Sequence, residues 1–169
     1  MYLIIPRKSQ PNNSDIKSFF HVKLDSNDFL ISTVHIDGIM EFIETKRIAQ
    51  LPKFIVSVYN RQNQQIPVID LKKYLNCKDG SFIQTLQSRV LFFRSQKSTY
   101  VIGVVFDEII GFHEIKSIGK KTIKLTIVPN HLKCFPIEFQ IKLKDKFIHL
   151  LDLSEILDEV FIEKQLKHQ

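Results

Sequence analysis

A short repeat constrains this chain more than any other feature. Ile31–Phe42, ISTVHIDGIMEF, lies without a gap over Val101–Phe112, VIGVVFDEIIGF. Ile31 meets Val101, Val34 meets Val104, Ile36 meets Phe106, Asp37 meets Asp107, Ile39 meets Ile109 and Phe42 meets Phe112. A second echo follows each copy: Val68–Leu75 (VIDLKKYL) resembles Leu150–Leu157 (LLDLSEIL). Both echoes read as a strand end, an Asp at a helix N-cap, and a short helix. A duplicated β-rich unit predicts two related barrel-like halves, about 18–75 and 88–157.

Asp37-Gly38 taken alone is a two-residue hairpin signal. Its counterpart Asp107-Glu108 is a poor turn, so each copy reads as one long strand, bent or bulged near the Asp. Between the copies, Leu51–Leu75 reads as a hairpin. Its apolar runs, Phe54–Val58 and Ile66–Ile69, flank a polar tip, Asn60–Gln65, and Asp70 caps a short helix. Residues 1–17 read as a flexible arm and 76–88 as a connector. Lys116–Lys124 reads as a basic loop. The segment 158–169, continuing from Ser154, reads as a helical tail with Ile156, Leu157, Val160 and Phe161 on one stripe and Glu163 and Lys167 as an exposed pair. Asp152 or Ser154 suits its cap.

Composition agrees with a β-rich fold. Ala49 is the single alanine, which argues against a helix bundle. Net charge is +6, with a pI near 9.3. That balance permits nucleic acid, an anionic membrane face or an acidic partner. A small-barrel nucleic-acid binder is therefore the alternative function. Against it, aromatics such as Phe19-Phe20 and Phe92-Phe93 sit in apolar runs, where core burial competes with a stacking role.

The sequence lacks a phosphate-binding glycine loop and a paired-histidine zinc motif. His35 and His149 read as structural positions inside strands. Cys77 and Cys134 read as two reduced thiols, and Asp70 and Asp152 as helix caps rather than paired carboxylates. The expectation is no enzyme, no catalytic residue, no cofactor and no metal. No apolar run reaches the roughly 18 residues of a membrane span, and no signal peptide is evident. A cytoplasmic location without membrane insertion follows as an expectation.

Several blocks together resemble the CheW domain family of bacterial chemotaxis. They are Phe29-x-Ile31, Arg47-Ile48-Ala49-x-x-Pro52-x-Phe54-Ile55, Val58, Asn60 and Pro67-Val68-Ile69-Asp70-Leu71. In the second half, Gly103-Val104-Val105-Phe106-Asp107 and Ile148-x-Leu150-Leu151-Asp152-Leu153 continue the likeness. The resemblance implies a single mainly β domain over 18–157: two pseudo-repeated, five-stranded SH3-like β-barrels sharing a core, with short helices and a C-terminal helix. It also implies a non-catalytic scaffold linking the cytoplasmic tip of methyl-accepting chemoreceptors to the regulatory domain of the histidine kinase CheA. Other CheW-like domains would join it in rings, and nucleic acid would not be a partner. The implied receptor-binding residues are Ile36, Gly38, Ser57, Asn60 and Gln62; the implied kinase-binding residues are Phe42 and Ile43. Ile36 and Phe42 also suit core burial. The chain departs from the family where a Glu and an Arg usually contact receptor: Gly38 and Gln62 stand there. Ser57 and Asn63 replace glycines.

Overall fold

The computed structural model describes residues 3–4, 16–44, 50–77, 82–95 and 99–159. The parts of the expected arm, the Arg47-Ile48-Ala49 block and the tail outside those ranges, Val160, Phe161, Glu163 and Lys167 among them, lie outside the described residues. Among the described residues, twelve strands form two six-stranded sheets. The first has the order β1 (Leu3–Ile4), β4 (Ile36–Glu41), β7 (Arg89–Arg94), β8 (Val101–Phe106), β6 (Gln64–Ile69), β5 (Ile55–Arg61). The second has the order β10 (Thr122–Lys124), β11 (Ile137–Leu143), β12 (Lys146–Leu151), β3 (Asn27–Ser32), β2 (Ile16–Leu24), β9 (Glu108–Lys116). Short helices α1 (Leu71–Tyr74) and α2 (Ile118–Lys121) follow β6 and β9. Residues 154–159 are helical.

Alternating side chains explain the layers. In β7, Val90 and Phe92 enter a cluster with Ile66, Val68, Val101 and Val105 of the same sheet. Leu91 and Phe93 point the other way, into a larger cluster shared with Phe20, Val22, Phe29 and Ile31 of the second sheet. The second sheet has its own small cluster, Phe19, Leu30, Ile115, Ile141 and Ile148. Two sheet interiors and one common core are therefore built from the same few strands.

Each sheet draws on both sides of the connector. β2 and β3 lie with β9–β12, and β4–β6 lie with β7 and β8. Each repeat copy is thus a crossover between sheets. The first copy is not one long strand: a 3-10 turn, Thr33–His35, separates β3 from β4. The second bends at Asp107 between β8 and β9. The ungapped register also shifts. Gly38 pairs with Phe92, Phe92 with Gly103, and Gly103 with Val68. Gly111 pairs with His21, His21 with Leu30, and Leu30 with Leu150. Val68 and Leu150 each lie two residues before a capping Asp, so Gly38 corresponds to Gly111 rather than to Glu108. Both copies carry a bulge just before the glycine, at Asp37 and at Ile110.

The two caps are equivalent. Asp70 accepts from the N–H groups of Lys72 and Lys73, and Asp152 accepts from the N–H of Ser154 at 3.0 Å. The Asp70 N–H donates to the Phe54 carbonyl, as that of Asp152 does to the Pro136 carbonyl.

Other expectations are corrected. Cys77 and Cys134 are not free thiols but a disulfide; two cysteines brought together only by the tertiary fold leave no sequence spacing to read. The expected basic loop contains α2 and β10. His35 lies in the 3-10 turn rather than in a strand. The hairpin strands extend to Arg61 and Gln64, leaving Gln62 and Asn63 as the whole turn. Both have positive φ, 45° and 64°, as a type I′ turn requires.

Candidate functional site

The β4 bulge leaves Asp37 unpaired between Ile36, opposite Phe93, and Gly38, opposite Phe92. Freed from the ladder, its carboxylate holds two guanidinium groups. Arg61, at the end of β5, donates from Nη1 to Oδ2 at 2.9 Å. Arg94, at the end of β7, donates from Nε to Oδ1 at 3.1 Å and from Nη2 to Oδ2 at 2.9 Å, a bidentate pair. Partial burial pushes the Asp37 carboxyl up, but the hydrogen bonds and charges of Arg94 and Arg61 outweigh it and hold the group below its ordinary value. The ion pairs fix the β5–β6 hairpin tip beside the start of β4.

Next to this triad lies a cavity of about 180 Å³ lined by Arg61, Gln62, Gln64, Arg94, Thr99 and Val101. Its wall joins the hairpin tip to the ends of β7 and β8. Its lining is polar and cationic apart from Val101.

The residues expected at the receptor face are not equally available. Asn60 and Gln62 are exposed. Ile36 is half-buried and packs against the shared core. Gly38 is buried and pairs on one side with Ile4 and on the other with Phe92. Ser57 is buried, and its hydroxyl donates to the Ile43 carbonyl at 3.0 Å.

Beyond β4, the two expected kinase-face residues separate. Phe42 is buried, 6% exposed, with its ring 4.9 Å from that of Phe82. Ile43 is 52% exposed, and its N–H donates to Tyr59 Oη at 2.7 Å. The Tyr59 hydroxyl donates in turn to the Glu41 carbonyl at 3.0 Å. Phe42 thus anchors the strand exit while Ile43 is presented outward. Ile83 and Leu86 of the connector are also exposed, 78% and 98%; Gln84 between them donates to the Phe42 carbonyl at 3.5 Å.

Asp37, Arg61, Arg94 and Thr99 were not separable as site residues by sequence reasoning. The available signal was an Asp interrupting an apolar strand and an Arg closing another, 57 positions apart. Among the described residues, no group of three or more His, Cys, Asp or Glu is arranged to hold a metal ion. No helix among them is long and apolar enough to cross a membrane.

The CheW-like domain family matches residues 18–161. Among solved structures, the chain is similar to the scaffolding protein TtCheW from Thermoanaerobacter tengcongensis. That match has 22% identity and a TM-score of 0.63, covering 81% of this chain and 89% of the other. No curated protein matches. With the family match spanning most of its length and the two-sheet fold agreeing, this chain belongs to the CheW-like domain family.

Proposed function

We propose that this protein is a non-catalytic scaffold coupling the cytoplasmic tip of chemoreceptors to the regulatory domain of the kinase CheA. Its place would be the cytoplasm, at membrane-associated receptor arrays. Family membership supports the scaffold role. The observation that carries the receptor side is the Asp37–Arg61–Arg94 triad, which holds the exposed tip, Asn60 and Gln62, in one orientation against Ile36 and Gly38. A fixed tip lowers the ordering cost of docking a partner. The kinase side is Ile43, braced by buried Phe42 and continued by Ile83 and Leu86. Like-with-like contacts with other CheW-like domains extend the same reading to rings.

The triad bears on the family departures. Charge is missing at Gly38 and Gln62, yet Asp37 and Arg61, one residue earlier on each strand, carry it and pair with each other. The receptor partner is therefore one suited to a displaced pair.

Titration calorimetry against a receptor-tip fragment and a CheA regulatory domain tests the reading. Ile43→Glu is expected to weaken kinase binding by 1 kcal/mol or more, roughly the cost of losing an interface anchor, and to leave receptor binding unchanged. Binding to neither protein, with salt-dependent binding to single-stranded DNA instead, would overturn the scaffold reading in favour of a nucleic-acid binder.

A further inference from the structure

Arg94 closes an apolar run, Val90–Phe93, and nothing in the sequence pattern gives it a role. In the fold it turns onto Asp37 and shares that carboxylate with Arg61. One carboxylate faces two guanidiniums, so the triad keeps one net positive charge. Each guanidinium is a planar fork of N–H donors with no acceptor. Both border the cavity beside the tip, where the amides of Gln62 and Gln64 and the hydroxyl of Thr99 add neutral hydrogen-bonding groups. Val101 at the start of β8 is buried, so the surface that the cavity offers is polar.

These features select a ligand. A lysine or arginine side chain would meet two cations. A phosphate dianion would bring two negative charges to a triad whose net charge is +1 and lie close to Asp37. A single carboxylate matches the triad's net charge and accepts from guanidinium N–H groups turned toward the cavity. Asp37 orients both forks before any ligand arrives, which reduces the ordering cost. The cavity rim includes Gln62, so an occupant would belong to the partner that meets the hairpin tip.

We propose that this cavity receives the side-chain carboxylate of an acidic residue on the receptor-tip helix, with Arg94 as its principal partner. The proposal rests on the reading that the tip face binds receptor. It adds the chemical class of the contact and a residue from the second half of the chain.

The test has two arms. In the first, the full chain is titrated with N-acetyl-glutamate methylamide and, separately, with the matching glutamine compound and with inorganic phosphate. Amide shifts at Gln62, Gln64 and Thr99 and the Arg94 Nε–H signal are followed by NMR. Saturable shifts with the glutamate compound alone are expected, and they should vanish in Arg94→Gln. Thr99→Glu places a carboxylate at the exposed rim without disturbing the ion pairs, and should abolish them as well. Equal shifts with the glutamine compound, no saturation, or tighter binding of phosphate would overturn the proposal.

In the second arm, receptor-tip affinity should fall about tenfold in both variants, the size of one lost charge-assisted contact, with kinase-domain affinity unchanged. Undiminished receptor binding would overturn the assignment of the cavity to receptor. A positive first arm with no receptor binding by the unaltered chain would leave the carboxylate site standing and defeat the receptor reading alone.

Discussion

Cys77 and Cys134 are joined across 57 residues of sequence, with Cα atoms 5.5 Å apart. The bond ties the turn after α1 to the segment following the 3-10 turn Asn130–Leu132. Both cysteines pack against the shared core, so the link fastens the start of the connector to the second half of the chain.

Closing a loop of this length removes denatured-state entropy worth up to about 4 kcal/mol. Cys134→Ser is expected to lower unfolding stability by roughly 2–4 kcal/mol, and reductant to lower that of the unaltered chain alike. Chemical denaturation with and without reductant checks this. Coincident transitions would show that the bond contributes nothing in solution.

Gly103 is the second position with a defined physical demand. A Cβ built there would lie 2.7 Å from Val90 Cγ1 and 2.8 Å from Val68 Cγ2. Both are fully buried neighbours on adjacent strands, so neither swings aside freely. Gly103→Ala is expected to cost about 1–3 kcal/mol by overpacking. Adding Val68→Ala should recover part of that loss, because the two changes share one contact. Additive losses in the double variant would contradict the clash.

The parts of this fold that were legible act locally. Asp70 caps the residues that follow it, and the hairpin around Gln62-Asn63 is closed by its own strands, so short windows contain the cause. The repeat was legible as a duplication but not in register. β8 is buried along its whole length, and a strand buried on both faces has no alternation to set its phase. Equivalence of Gly38 with Gly111 became visible only through the ladder. Phe42 and Ile43 were read together, yet they lie just past the end of β4, where Phe42 packs against Phe82 in the core and Ile43 is exposed. Asp37 with Arg94, and Cys77 with Cys134, are tertiary meetings without a local signature.

His113 makes stability depend on pH. Its ring centroid lies 5.7 Å from that of His21 on the neighbouring strand, and its Nε2 is buried with no hydrogen-bond partner among the described residues. Nε2 of His21 is 3.4 Å from Asp28 Oδ2. Burial first, then the nearby charges of His21 and Lys144, push the His113 imidazole below its ordinary value of 6.5. The folded state therefore favours neutral His113. Below about pH 6.5 the unfolded chain binds the proton first, and stability falls until the folded-state group titrates too. His149, lowered by burial and by His131, acts in the same direction. His113→Leu is expected to make the decline between pH 7 and 5.5 shallower in denaturant titrations. An unchanged slope would mean that His113 does not titrate differently in the two states.

Gln62 stands at positive φ, 45°, where a residue with a Cβ is strained by roughly 1 kcal/mol and Asn or Gly is preferred. Asn63, at 64°, is better tolerated but still improvable by glycine. The double change Gln62→Asn with Asn63→Gly makes the favoured Asn-Gly turn and is expected to raise stability by about 1 kcal/mol. Gln62 lines the cavity beside Arg94, whereas Asn63 does not. Shortening the Gln62 amide by one methylene withdraws it from a docked carboxylate, so the double variant should bind a receptor tip more weakly while folding more tightly. Asn63→Gly alone should gain stability and keep its affinity. Opposed movement of stability and affinity in the first variant, and not in the second, is the signature of strain retained for binding. If both variants gain stability with receptor affinity unaltered, the Gln62 side chain has no part in that contact.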